Sequence, residues 1–206
     1  MRRSACLVSI VLAGVLATAA WAEFQPIPAD GLTAIVTQVV GAAEKDTAAP
    51  IAVKADAEKA AGLYNRGKGG LIVVPQKNLK EGDFTGVSDE TGAPIAYLFL
   101  SKLGVAIDGK PFAGKLFTTS IPVQNGANRE IAVLRLSVKK ENDTDWNLYV
   151  FGSDKKPIAK CAFREEAKET KDAISIDVKD FTDDKGKLIV TVHGKYAADI
   201  PLTIVK

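Results

Sequence analysis

Ala132-Val-Leu-Arg-Leu-Ser-Val-Lys139 is the stretch on which the fold turns. In an extended chain Ala132, Leu134, Leu136 and Val138 point one way, and Arg135, Ser137 and Lys139 point the other. A period of two, with one apolar side and one polar side, marks a strand that buries one face and wets the other.

The same rhythm returns downstream. Ile174, Ile176 and Val178 oppose Ser175, Asp177 and Lys179; Leu188, Val190 and Val192 oppose Lys187, Thr191 and His193. Ala198, Ile200, Leu202 and Ile204 oppose Asp199, Thr203 and Val205. Strands are therefore expected near 115–123, 130–139, 145–152, 157–163, 172–179, 187–193 and 197–205. Turns are expected at Asn125-Gly126, Gly152-Ser-Asp154, Asp183-Asp-Lys-Gly186 and Gly194. Antiparallel layers stacked face to face, a β-sandwich that is immunoglobulin-like in the broad sense, follow for residues 112–206.

Residues 23–111 read differently. Phe24 to Ala29 holds two prolines and reads as an extended leader. Asp30 is placed to cap a helix on which Leu32, Ile35, Val36, Val39 and Val40 form one apolar stripe. The Ala-rich run from Val53 to Tyr64, with Val53, Ala57, Ala60, Ala61 and Tyr64 on one face, predicts a second helix ended by Asn65-Arg-Gly67. Leu71–Val74, stopped by Pro75, and Ile95–Leu100 read as strands around a polar, Gly-rich region at 76–94. Asp108-Gly109 is a tight hairpin signal. The fold class is thus α+β: a small helical and strand part packed on the sandwich, with a soft boundary near residue 112 and one shared core allowed.

The first 22 residues have the form of a cleavable export signal. Arg2 and Arg3 form the positive start, Leu7 to Leu16 the apolar run, and Ala20-Trp-Ala22 the small-x-small site that would leave Glu23 first. The apolar run is shorter than the roughly 20 residues a bilayer span needs. The signal carries two of the 27 basic residues and none of the 25 acidic ones, so the processed chain is formally neutral. Neutrality, with no Lys/Arg block, argues against nucleic acid or an anionic membrane as partner. Of the two cysteines, Cys6 leaves with the signal, so Cys161 has no partner for an intramolecular disulfide. A periplasmic or secreted location without a remaining membrane span is expected.

Candidate chemistry is sparse. His193 is the sole histidine, expected on a solvated strand end, and no G-x-S-x-G nucleophile motif occurs. Cys161 is in phase with Ala159 and Phe163, so it reads as a small buried hydrophobe. Asn142-Asp-Thr-Asp145 and Asp180-Phe-Thr-Asp-Asp-Lys-Gly186 offer oxygens, but neither has calcium-loop spacing and both suit turns. Glu165 and Glu166 are adjacent and face apart in a strand, so they do not form a glycosidase pair. Arg66-Gly-Lys-Gly-Gly70 reads as a helix end and strand lead-in rather than a phosphate loop.

On the 145–152 strand both faces are apolar: Trp146, Leu148 and Val150 on one, Tyr149 and Phe151 on the other. Either the strand is buried on both sides, with the N-terminal helices covering Tyr149 and Phe151, or those two rings form an exposed stacking platform. The expected role is an exported, non-catalytic protein with no cofactor and no metal, acting on a protein or a cell-envelope component through its sandwich. One alternative is a carbohydrate-binding module using Trp146, Tyr149 and Phe151. A hydrolase with a carboxylate pair that the sequence does not single out is the other.

Overall fold

The computed structural model describes residues 23–80, 83, 90–122, 127–142, 145–167 and 169–205. The export signal, Phe84 and the Asn125-Gly126 turn lie outside them. In chain order the elements begin with β1 (Gln25–Pro26), α1 (Ala29–Ala43), β2 (Ala61–Asn65), β3 (Gly69–Pro75) and β4 (Ala93–Ser101). β5 (Leu103–Ile107), β6 (Lys110–Pro111), β7 (Phe117–Pro122), β8 (Asn128–Lys140) and β9 (Trp146–Phe151) follow. The chain ends with β10 (Ala159–Ala162), β11 (Arg164–Glu165), β12 (Ile174–Thr182), β13 (Lys185–Val192) and β14 (Tyr196–Ile204).

Two antiparallel sheets pack face to face. One runs β1-β2-β3-β4-β8-β9-β10; the other runs β12-β13-β14-β5-β6, with β11 also on β14. Val133 of β8 is paired with both Phe99 of β4 and Phe117 of β7, so these two strands lie on opposite edges of β8. β9 takes the rest of the edge that β7 occupies, from Arg135 to Lys140. Strands from both sides of residue 112 stand in both sheets: β4 pairs β8, and β14 pairs β5.

The alternation drawn from sequence builds the core. Leu134, Leu136 and Val138 of β8 meet Leu188, Val190 and Val192 of β13 and Ile200 and Leu202 of β14 in one cluster between the sheets. Each expected strand is present, and Asp108-Gly109 closes β5 onto β6 with positive φ at both residues, 51° and 74°. Such a turn matches the right-handed twist of the strands it joins.

Three expectations change. α1 forms, but its cap position is Pro28, and Asp30 lies inside the first turn, where its charge suits the positive end of the helix dipole. The second helix is absent: Ala57–Lys59 makes a single 3-10 turn, and Ala61–Asn65 is β2, paired with β3 from Ala61↔Val73 to Asn65↔Gly69. Helix propensity gives way there to a hairpin whose turn is tied by Asn65, since its Oδ1 accepts the Gly67 and Lys68 N–H groups at 3.0 and 3.1 Å. Gly62 in this strand leaves room for the side-chain ends of Ile27 and Leu32, which a Cβ there would meet at 2.8 and 2.9 Å. Arg66 to Gly70 is therefore a hairpin turn and strand start, preceded by a strand and not by a helix end.

The third change is the largest. Arg135 and Ser137, expected in water, are fully buried. α1 and the segment after it form a third layer on the outer face of the larger sheet, where Val36, Val39 and Val40 pack on Ile72, Phe99, Ile131 and Val133. Arg135 Nη2 donates to Asp46 Oδ2 at 2.8 Å and to the Ala43 carbonyl at 3.5 Å, and its guanidinium lies 5.6 Å from the centre of the Tyr97 ring. Ser137 donates to the Thr91 carbonyl.

A buried pair that loses one partner leaves an uncompensated charge. Arg135→Met is expected to cost about 3–5 kcal/mol in urea unfolding, and Arg135→Met with Asp46→Leu markedly less. Equal loss in the single and double variants would show that the pair does not hold the helical layer.

Candidate functional site

The three aromatic candidates do not meet. Trp146 points to the inter-sheet side of β9, half-buried, with Lys140 Nζ 5.7 Å from its ring centre. Tyr149 and Phe151 point to the opposite side, 8% and 1% exposed, and Ile51 packs with them. Their rings, 6.3 Å apart, are covered by the segment that follows α1, so the exposed platform does not form. The Tyr149 hydroxyl donates to Glu141 Oε1, and Lys160 Nζ lies 5.8 Å from the ring centre. Burial first, then the Glu141 charge, push the Tyr149 hydroxyl up to about 12.

The remaining candidates sit apart. His193 holds φ 50° in the β13–β14 turn and is half-buried there rather than on a solvated strand end; its backbone N–H donates to the Ala173 carbonyl. Glu165 is in β11, and Glu166 pairs with Arg164 at 3.4 Å. Asn142 and Asp145 bond to each other as turn residues do, while Asp143 and Thr144 lie outside the described residues. Asp183 and Asp184 form the tight β12–β13 turn. Among the described residues no three His, Cys, Asp or Glu side chains are placed to hold a metal ion.

Two hollows flank α1, and a further one of about 540 Å³ lies away from it, among Leu103, Phe112, Leu116, Ile158 and Val205, where Lys102 and Arg129 also reach. A sheet of seven successive strands at about 4.8 Å spacing is about 30 Å wide, whereas one helix is about 10 Å across. The 15-residue helix does not span that face alone: the segment after it covers Tyr149 and Phe151, and a hollow remains towards either end of the helix.

At the C-terminal end of α1 a cavity of about 610 Å³ is floored by Arg135 and Tyr97 and lined by Glu44, Asp46, Lys54 and Lys77. Nε and Nη1 of Arg135 have no hydrogen-bond partner among the described residues. Asp46 and Glu44 bring negative charge to the guanidinium, so the three cations of this hollow, Arg135, Lys54 and Lys77, are largely offset there. Burial raises the Tyr97 pKa, with the Arg135 charge opposing it.

At the N-terminal end lies a cleft of about 390 Å³ with a different character. Its walls are Ile35 and Val39 of α1, Ile72 of β3, Phe99 of β4, Ile121 of β7 and Ile131 of β8. Gly69 and Gly70 keep one side free of side chains; Gly69 has φ 125°, and a Cβ there would stand 2.2 Å from the Ser101 carbonyl oxygen. Exposed Arg66, Lys102 and Arg129 line it, as does Tyr64, which is 43% exposed. None of the three cations has an ion-pair partner among the described residues, and no acidic residue lines the cleft. Ser101, 8% exposed, lines it with an Oγ that lacks a hydrogen-bond partner among the described residues.

Sequence reasoning missed this cleft because its cations come from three separate turns and strand ends. One signal was present: Ile131 and Val133 are apolar on the side of β8 expected to be wet, which implies a cover. Compared with protein-family models, curated proteins and solved structures, the chain matches none.

Cys161 is buried, in the inter-sheet cluster, and burial followed by the Asp199 charge pushes its thiol up to about 11. Its thiolate fraction at pH 8 is then about a hundredfold below that of an ordinary cysteine thiol. A disulfide reagent at pH 8 is expected to label the native protein at least that much more slowly than the urea-unfolded chain, the rate rising as pH nears 11. Equal rates would place Cys161 in a reactive setting.

Proposed function

We propose that this chain is an exported, non-catalytic binding protein, periplasmic or secreted, that engages a component of the cell envelope through the sandwich face carrying α1. The observation that carries the reading is the cleft at the N-terminal end of α1: apolar walls beneath three cations with no ion-pair partner among the described residues. Ligand sites are mostly apolar hollows with a few polar groups that set orientation, in the range of about 300–1,000 Å³. Cations left unpaired beside such a hollow give a field that favours an anionic ligand. Export is supported by the signal-like residues 1–22, and no helix among the described residues is long and apolar enough to cross a membrane.

A protein partner receives less support, because the exposed large apolar residues Tyr64, Ile107 and Val205 stand singly and do not make a broad patch. The carbohydrate reading loses its motive with Tyr149 and Phe151 covered.

The full chain expressed in a bacterial host is expected in the periplasm or medium with Glu23 as first residue, read by N-terminal sequencing. The purified mature protein is expected to co-sediment with envelope fragments and to be released by salt, which screens exposed charges. Cytoplasmic retention of the uncut chain, or no co-sedimentation at low salt, would refute the reading.

A further inference from the structure

Resting on that reading of the cleft, we infer that its occupant is a single long-chain fatty acid, with the acyl chain beside α1 along Ile27, Ile35 and Tyr64 and the carboxylate among Arg66, Lys102 and Arg129. The argument is one of complementarity between two parts of one hollow. Behind the cleft Ile72 and Phe99 are already packed by α1, and its accessible apolar surface comes from half-buried Ile27 and Ile35 and exposed Tyr64, where water gains little from its contacts. The rim carries three positive charges and no negative one, so a neutral apolar ligand would leave that field unanswered. Ser101 adds a buried hydroxyl in want of a partner on the same wall. A volume of about 390 Å³ suits one acyl chain and is too small for a two-chain phospholipid.

Gly70 supplies the means to test occupancy without touching the cations. It stands directly opposite Ser101 and one strand pair away from Ile72 and Phe99, on the same face. Its backbone is outside the positive-φ region, and the nearest atoms to a Cβ there would be the Leu63 carbonyl oxygen at 3.4 Å and Tyr64 at 3.7 and 3.9 Å, ordinary contact distances. A large side chain can therefore be accepted by the backbone and would fill the cleft.

The experiment uses delipidated mature protein loaded with a fluorescent polyene fatty acid, displaced by decanoate, dodecanoate, tetradecanoate and hexadecanoate. Affinity is expected to rise by about fourfold per buried methylene until the cleft is full. Hexadecanol, with the same chain and no charge, is expected to bind about tenfold more weakly. Arg66→Gln with Lys102→Gln and Arg129→Gln should remove that difference between acid and alcohol. Gly70→Phe, or Ile35→Trp from the helix side, should abolish displacement of the probe while leaving the thermal midpoint near that of the parent.

No displacement by any acid, an affinity that does not change with chain length, or acetate and inorganic phosphate competing as well as hexadecanoate would each overturn the inference. So would full binding in a folded Gly70→Phe protein. Should both filling variants fail to fold, the chain-length series and the acid–alcohol comparison on the parent protein still decide. Co-sedimentation with envelope fragments without fatty-acid binding defeats this inference alone; fatty-acid binding without co-sedimentation defeats the envelope reading alone.

Discussion

One buried guanidinium dictates how the N-terminal third of the chain is laid over the sandwich. Arg135 projects from the middle of β8 with no exposed surface, and a charge in that position is tolerated only with a counter-charge in contact. Asp46 supplies it from the segment after α1. Bringing that carboxylate to β8 fixes where α1 must end, and the Ala43 carbonyl at the helix terminus adds its partial negative charge to the same group. With residue 46 so placed, the chain beyond it crosses β9, and Ile51 settles on Tyr149 and Phe151. The third layer, the burial of the β9 aromatics and the 610 Å³ hollow beside Arg135 are consequences of that contact.

The other end of α1 is held by shape rather than charge. Gly62 lets the side-chain ends of Ile27 and Leu32 rest against the β2 backbone. A helix far narrower than its sheet leaves hollows at its margins, although the sheet residues behind them are buried. The cleft follows from dimensions, and its apolar walls are the continuation of the surface that α1 buries elsewhere. What the sequence adds is the placement of Arg66, Lys102 and Arg129 around it.

Strand positions were legible because alternation is a local property: the side on which Leu134 points is fixed by its distance from Leu136. What covers each side is not local. Arg135 and Ser137 looked like a wet face because the pattern distinguishes two sides without saying which layers lie against them, and the hints of a cover were Ile131 and Val133 on that side and the second apolar face, Tyr149 and Phe151, of the neighbouring strand. The run from Val53 to Tyr64 misled for a related reason. Alanine favours a helix in isolation, but Asn65 and the glycines after it make a hairpin whose partner strand lies beyond the turn. The cleft was the least legible feature, since Arg66 and Arg129 meet there only through the pairing of β2 to β3, β3 to β4 and β4 to β8.

Formal neutrality of residues 23–206 argues against a polyanion spread over the surface, but it does not describe the surface point by point. Several carboxylates on the smaller sheet are matched by nearby cations: Asp199 by Arg164, Asp177 by Lys179 and Asp180 by Lys187. Their charges are answered locally and contribute little field at a distance, since a pair of opposite charges falls off faster than either alone. The cations of the cleft lie around the larger sheet without such matching, so the positive field there is not cancelled by the acids that balance the total. Screening confines such a field to about 10 Å at ordinary salt, which is the scale of one carboxylate and not of a membrane plane or a nucleic-acid backbone. A chain balanced overall, with a hollow whose lining holds three cations and no acid, is suited to a small anion there, and the apolar walls of that hollow favour an anion that carries a hydrocarbon part.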